Sequence, residues 1–129
     1  MPRIRFDFGT LALEAELLAT PTARLVEAAV AQAGPALTSS AQTWGEEVYF
    51  EVPVDAAREG DARAVVVPGE IAYWPDGHCI AIGFGRTPIS RGDETRLASP
   101  YNIFAKALSD VKALAKIKDG ARIKMTLVP

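Results

Sequence analysis

Two adjacent glutamates, Glu46 and Glu47, follow Trp44 and a glycine at the start of a predicted strand. Successive side chains on a strand point to opposite faces, so the two carboxylates are not arranged as an acid–base pair. One of them could still face a pocket beside Trp44, where desolvation would raise its pKa and suit it to proton transfer. The alternative is an ordinary strand start with both carboxylates exposed to solvent.

The single cysteine, Cys79, follows the single histidine, His78, on another predicted strand. Their side chains also point apart, so they do not form a nucleophile–base dyad. Because zinc sites draw their ligands mainly from Cys and His, we expect no metal site, and we expect no other cofactor. Cys79 is predicted to pack as a small hydrophobic residue. His78, beside the turn at residues 75–77, is predicted to end a strand or to line a site.

A Gly-x-Gly sequence, Gly83-Phe84-Gly85, is followed by Arg86. The segment lacks the further glycine, the Lys-Ser/Thr pair and the long helix of a phosphate-binding loop, so we do not predict nucleotide binding. The glycines instead indicate a bend in the strand. Residues 85–99 show no apolar period and are predicted to form a long loop, a type of segment that is often functional.

Both tryptophans, Trp44 and Trp74, lie at predicted bends, before Gly45 and Pro75. Aromatic residues at strand ends beside polar groups are typical of small-ligand sites, and they also plug the ends of barrels. We predict from them a groove at the side of the fold that takes a small molecule or a peptide segment. The predicted lining residues are Trp44, Glu46, Tyr49, Tyr73, Trp74, His78, Arg86 and Asn102.

The composition predicts one packed domain over residues 1–129, since 49% of the residues are hydrophobic and 23% are charged. A net charge of −2 and a pI of about 5.4 provide no basic field for nucleic acid or anionic lipid. No apolar run approaches the ~20 residues of a membrane span. A single cysteine fits a reducing compartment. We therefore expect a cytoplasmic protein without a nucleic-acid or membrane partner.

Apolar residues alternate with polar ones over most of the chain, which predicts seven or eight short antiparallel strands. The predicted strands cover residues 4–8, 11–17, 48–54, 64–67, 70–74, 78–84, 101–108 and 123–127. The first two form a hairpin around Gly9-Thr10. Many short strands commonly hide their edges by closing into a barrel, so we predict a mainly β, closed barrel.

Two short helices are predicted to cap this barrel. The first follows Thr20, a good N-cap, and is predicted to carry Leu25 on its apolar face. Gly34 is predicted to end it in the left-handed conformation. The second, shorter helix follows Asp110.

Three segments together resemble the small stand-alone cyclophilin-like proteins of bacteria and archaea. They are residues 43–50 (TWGEEVYF), 68–75 (PGEIAYWP) and 84–88 (FGRTP). The resemblance spans nearly the whole chain in the same order. It implies an eight-stranded closed barrel with a helix at each end, in a prokaryotic family whose members mostly lack an assigned function.

True cyclophilins isomerise X-Pro bonds with an arginine in a Phe-His-Arg motif and with a Gln-Phe-Phe strand beside a proline pocket. In this sequence, residues 44–47 (WGEE) stand in the place of the first motif and contain no arginine. Residues 78–80 (HCI) stand near the place of the second. Because the cation that polarises the prolyl amide is missing, the resemblance implies the fold without implying isomerase activity.

Three functions therefore remain open. The preferred one is a binding protein for a small molecule or peptide. The second is an enzyme of lyase or hydrolase type, in which Glu46 or Glu47 acts as acid or base and Arg86 holds an anionic substrate group, with weak peptidyl-prolyl isomerase activity as a further alternative. The third is a structural role, as a homodimer formed through an uncovered strand.

Overall fold

The computed structural model describes residues 2–129 and contains, over that range, ten strands and two helices. The strands are β1 (Arg3–Asp7), β2 (Ala12–Leu17), β3 (Leu37–Ser40), β4 (Gln42–Thr43), β5 (Glu47–Glu51), β6 (Arg63–Val66), β7 (Glu70–Trp74), β8 (Cys79–Gly83), β9 (Thr95–Ala107) and β10 (Arg122–Val128). The helices are α1 (Pro21–Gln32) and a short 3-10 helix (Val111–Lys116). The mainly β prediction is confirmed.

All the strand pairs described are antiparallel, and they follow the order β3-β10-β1-β2-β9-β7-β8-β5-β4, with β6 attached to β9. This path begins at β3 and ends at β4. Within residues 2–129, the ladders therefore do not join into a ring, and the closed, eight-stranded barrel is not confirmed. In the chain, β3 and β4 are separated only by Ala41, whose N–H donates to the Ala121 carbonyl (2.8 Å).

The sheet curves on itself around an apolar core. Phe6 of β1 and Phe50 of β5 are far apart in the strand order, yet their rings meet edge-on with centroids 5.9 Å apart. Ser39 of β3 also donates its hydroxyl to the Glu51 carbonyl of β5 (2.6 Å). These contacts bring the two ends of the sheet together, and the core between them holds apolar side chains from both.

The opening hairpin forms as predicted. Gly9 has a φ of 90°, which the two-residue connection requires, and the Phe8 N–H donates to the Leu11 carbonyl (2.9 Å). The second predicted helix is the 3-10 helix, and Asp110 caps it by accepting the N–H of Lys112 (2.9 Å).

The first helix begins at Thr20, whose hydroxyl accepts the Ala23 N–H (3.0 Å). Two details of the prediction are wrong. Leu25 is 44% exposed, because α1 packs along a narrow stripe that includes Val26 and Val30 and leaves position 25 outside it. Gly34 does not have a positive φ, because Ala33 ends the helix in an extended conformation. Neither helix of residues 2–129 has both the length and the apolar composition needed to cross a membrane.

The predicted loop over residues 85–99 ends early, because β9 already begins at Thr95. The first part of β9 pairs with β6, where Val66 faces Thr95. Thr95 is 2% exposed, so a threonine occupies a buried position that an apolar residue would usually mark. This buried polar residue interrupts the alternation of apolar and polar residues at the start of β9, so the sequence pattern did not reveal the strand there.

Candidate functional site

The sheet formed by β5, β7, β8 and β9 carries a second apolar cluster on the face opposite the main core. Alternation along β5 places Val48 and Phe50 in the main core and Tyr49 on the opposite face. The buried members of this second cluster are Val66, Ala72, Ala81, Leu97 and Tyr101, with Tyr49, Trp74 and Ile103 packed against them.

A cavity of about 200 Å³, here named the aromatic pocket, opens at this cluster. Its lining residues are Trp44, Glu47, Tyr49, Trp74, Ala98 and Tyr101. The register of β5 and β8 places Gly83 opposite Glu47 and Ala81 opposite Tyr49. Ala81 carries only a methyl group, and the space beside Gly83 is occupied by the Thr95 side chain, which would lie 2.5 Å from an added Cβ.

Two contacts hold Trp74 in place. Its ring stacks with that of Tyr101, with centroids 5.8 Å apart and planes 5° from parallel. The ring also lies against Gly77 of the following turn, where an added Cβ would be 2.3 Å from a ring carbon. The absence of a side chain at residue 77 therefore allows Trp74 to take this orientation.

Glu47 supplies the carboxyl group of the pocket. The residue is 2% exposed, and its Oε1 atom has no hydrogen-bond partner among the described residues. Burial raises the pKa of the Glu47 carboxyl from 4.5 to about 7. At neutral pH this group can therefore accept a hydrogen bond as a carboxylate or donate one as an acid.

The ionisable neighbours of Glu47 favour their neutral forms. Burial raises the pKa of the Tyr101 phenol, and the nearby charge of Glu47 raises it further. The pKa of Tyr49 is raised for the same two reasons. Burial, with contributions from Glu51 and Glu47, raises the pKa of the Cys79 thiol to about 11. None of the six lining residues bears a positive charge.

Comparison with known proteins identifies the family of the chain. The sequence profile described as Cyclophilin-like matches residues 2–126. The chain belongs to the cyclophilin-like family. A solution structure of a hypothetical protein from Archaeoglobus fulgidus is similar to it, with a TM-score of 0.79, 31% sequence identity, and coverage of 97% of this chain and 93% of that one.

A second similar structure is that of McbB in complex with tryptophan, with a TM-score of 0.61 and 14% identity. The match covers 98% of this chain but only 44% of that one, and it shows a likeness of fold alone. A search of the curated proteins gave no match.

In this cyclophilin-like chain, the residues predicted to line one groove are divided among several places. Trp44, Tyr49 and Trp74 lie together in the aromatic pocket, where Glu47 joins them. Of the two candidate glutamates, it is thus Glu47 that lies beside Trp44.

Glu46 and Arg86 lie in a separate, open concavity with Lys112. The exposed Glu46 carboxylate accepts the backbone N–H of Arg86 (3.0 Å). Arg86 therefore does not lie in the same cavity as Glu47. The Glu46–Arg86 pair is held by the backbone of the chain and is open to solvent.

Tyr73 and His78 also lie away from the pocket. Tyr73 precedes Trp74 on β7, so its ring points into the main core, where its hydroxyl donates to the Val54 carbonyl. His78 is exposed, has a φ of 53°, and places Nε2 3.6 Å from the Asp55 carboxylate in another open groove. The single predicted groove is therefore not formed, because strand alternation sends neighbouring residues to opposite faces.

Asn102 is fully buried and is used by the fold itself. Its Oδ1 accepts the Glu59 N–H (2.8 Å), and its Nδ2 donates to Thr22 Oγ1 (3.0 Å) and to the Ala57 carbonyl (2.9 Å). These bonds join the loop before β6 to the start of α1. Both N–H donors of this amide are used within the protein, and its oxygen already accepts one hydrogen bond.

The prediction missed two lining residues, Tyr101 and Ala98. Both belong to the part of β9 around Pro100, where pairing with β6 shifts by a bulge between Arg63 and Val65. The sharing of one face by Glu47 and Tyr49, in contrast, was already visible in the alternation of β5. Among residues 2–129, no group of three His, Cys, Asp or Glu residues is placed to hold a metal ion.

Proposed function

We propose that this chain binds a small organic molecule in the aromatic pocket. The observation that carries the proposal is the unpartnered Oε1 of Glu47, which lies buried among aromatic rings. Buried polar atoms in native proteins nearly always have a hydrogen-bond partner, and one without a partner costs roughly 1–3 kcal/mol. A ligand that supplies a donor to Oε1 removes that cost.

The size and surface of the pocket define the ligand further. A volume of about 200 Å³ is smaller than the roughly 300–1,000 Å³ of pockets for drug-sized molecules. The partly buried rings of Trp44 and Trp74 offer flat apolar surfaces at its rim. The ligand is therefore a small molecule with a planar or apolar body and one hydrogen-bond donor.

Intrinsic fluorescence is a direct test, because both tryptophans of the chain line this pocket. Small aromatic and alicyclic compounds that carry a donor are screened, with tryptophan, the molecule in the McbB complex, among them. A ligand should change the emission, and at ~100 times its Kd it should raise the free energy of unfolding by about 2.7 kcal/mol.

Variants assign such a ligand to the pocket. Glu47→Gln and Tyr49→Ala should each weaken binding at least tenfold, whereas the matched variants Glu46→Gln and Arg86→Ala should not change it. Binding that is lost in Arg86→Ala and kept in Glu47→Gln would move the site to the other concavity. A screen in which no compound changes the emission or the stability would remove the proposal.

A peptide would occupy the same pocket through one side chain. Aromatic residues within short peptides capped at both ends are compared with the isolated side-chain analogues. Equal affinity supports a small-molecule ligand, and binding by the peptides alone identifies a peptide as the partner.

A second candidate function is acid–base catalysis by Glu47. The observation that favours it is the pKa of about 7, because a general acid or base works best when its pKa lies near the working pH. Compounds that bind are followed by NMR for conversion or for proton exchange with solvent. Turnover that is lost in Glu47→Gln and retained in Glu46→Gln would establish this function, and unchanged compounds would leave binding as the sole activity.

A further inference from the structure

We infer that the aromatic pocket selects organic ammonium ions that carry at least one N–H, and that it rejects anions. This inference rests on the proposed function, since it names the chemical class of the ligand for the same site.

The charge around Glu47 is either negative or neutral. Besides burial, Glu47 raises the pKa of Tyr49 on its own strand, of Cys79 on β8 and of Tyr101 on β9, and Glu51 also raises that of Cys79. All four are acids, so none of them compensates a negative charge on Glu47. A cationic ligand would neutralise the carboxylate, and an anionic ligand would face it without a counter-charge.

The two arginines of β6 and β9 are already paired. Arg63, which pairs with Tyr101 across the β6–β9 ladder, places Nη2 2.6 Å from the Glu70 carboxylate. Arg96, on β9, places Nε 2.6 Å from the Glu94 carboxylate. Neither guanidinium lines the aromatic pocket, so the cation that completes the site has to come from the ligand.

The walls of the pocket favour the same class. Two indole rings and two phenol rings line the cavity. One face each of Trp74 and Tyr101 is taken up by their stack, and the free faces of such rings attract cations within about 6 Å of the ring centre. The requirement for an N–H follows from Oε1 of Glu47, which has no donor among the described residues. A quaternary ammonium ion would contact the ring faces and neutralise the carboxylate. It has no N–H, so Oε1 would remain without a hydrogen bond.

The test uses four probes of similar size, namely benzylammonium, benzyl alcohol, benzyltrimethylammonium and phenylacetate. Their affinities are measured at pH 5 and pH 8 by tryptophan emission and by calorimetry. Benzylammonium remains charged at both pH values, so any pH dependence belongs to the protein. Because a cation binds the ionised carboxylate, we expect its affinity to fall about a hundredfold from pH 8 to pH 5.

At pH 8, benzyl alcohol and benzyltrimethylammonium should bind at least tenfold more weakly than benzylammonium, and phenylacetate should not bind. Glu47→Gln should lower the benzylammonium affinity at pH 8 and remove the pH dependence, whereas Glu46→Gln should preserve both. The wild-type pH dependence tests the inference even if Glu47→Gln does not fold.

The contrary outcomes separate the two proposals. If benzyl alcohol or phenylacetate binds as tightly as benzylammonium, or if affinity rises toward pH 5, the ammonium inference is wrong while the pocket remains a binding site. If benzyltrimethylammonium binds as tightly, the N–H requirement is wrong. If none of the four probes changes the emission at millimolar concentration while other compounds of the screen bind, the inference alone fails. If nothing binds, the proposed function fails with it.

Discussion

The rings of Trp74 and Tyr101 stack with their centroids 5.8 Å apart and their planes 5° from parallel. The two residues come from different strands, β7 and β9, so the stack joins the strands on the face that carries the pocket. Aromatic pairs of this kind contribute roughly 0.5–1.5 kcal/mol beyond the area that they bury. The stack therefore fixes one wall of the pocket in place before any ligand arrives.

Gly77→Ala should displace that wall. An added Cβ would lie 2.3 Å from the Trp74 ring, so the indole has to move and the pocket should lose its shape. We expect a red-shifted tryptophan emission and benzylammonium binding that is at least tenfold weaker. Gly60→Ala is the matched control, because an added Cβ there meets nothing within 4 Å. Equal emission and affinity in the two variants would show that Gly77 does not position Trp74.

Replacing Glu47 should change how stability depends on pH. The folded state binds the Glu47 proton more tightly than the unfolded chain, so this group favours folding at low pH and its contribution is lost as the pH rises from about 4.5 to about 7. The loss corresponds to about 3 kcal/mol, at 1.36 kcal/mol per pKa unit.

Urea unfolding at pH 4.5 and pH 8 measures this effect. Relative to wild type, Glu47→Gln should gain about 3 kcal/mol of stability between the two pH values. Glu46→Gln, with the same change on an exposed side chain, is the control and should keep the wild-type difference. A constant offset between Glu47→Gln and wild type at both pH values would contradict the raised pKa.

Asn102→Ala should destabilise the fold without weakening the binding of benzylammonium. The variant removes three hydrogen bonds of a fully buried amide, and we expect a loss of about 2–4 kcal/mol in the free energy of unfolding. Gln32→Ala, at an exposed amide in α1, is the control. A fully stable Asn102→Ala protein that has lost affinity would instead show that Asn102 belongs to the site.

The Cys79 thiol should react slowly in the folded protein. Its pKa of about 11, against 9.0 for a free thiol, leaves roughly a hundredfold less thiolate at pH 8, and the thiolate is the reactive form. Reaction with a disulfide reagent is followed with and without urea. Folded protein that reacts as fast as unfolded protein would contradict this prediction.

Periodicity was sufficient to predict most of the strands and both helices, because most strands have one face in an apolar core. Both residues of β4 are exposed, so that strand has no such face. On β5, Val48 and Phe50 alternate with Glu47 and Tyr49. The first pair packs in the core and the second lines the pocket, so this alternation also predicts which residues belong to each. Applied to β7, the same rule separates Tyr73 from Trp74, which the predicted groove had placed together.

The remaining part of the site depends on pairing between distant strands. Tyr101 reaches the pocket because β9 is irregular on both sides, with register shifts against β6 and against β7. A shift of one residue exchanges the two faces of a strand, so the alternation near Tyr101 did not reveal which face it would occupy. Glu47 likewise lines the pocket together with Trp44, which lies outside β5, and it faces Gly83 across the β5–β8 ladder.

Titration of the Glu47 side-chain carboxyl carbon by NMR, with and without benzylammonium, is the most direct measurement. We expect a pKa of about 7 in the free protein and a lower pKa in the complex, because a bound cation favours the carboxylate. A pKa near 4.5 in the free protein, or the same pKa in both states, would contradict the proposal that the buried Glu47 carboxylate binds a cationic ligand.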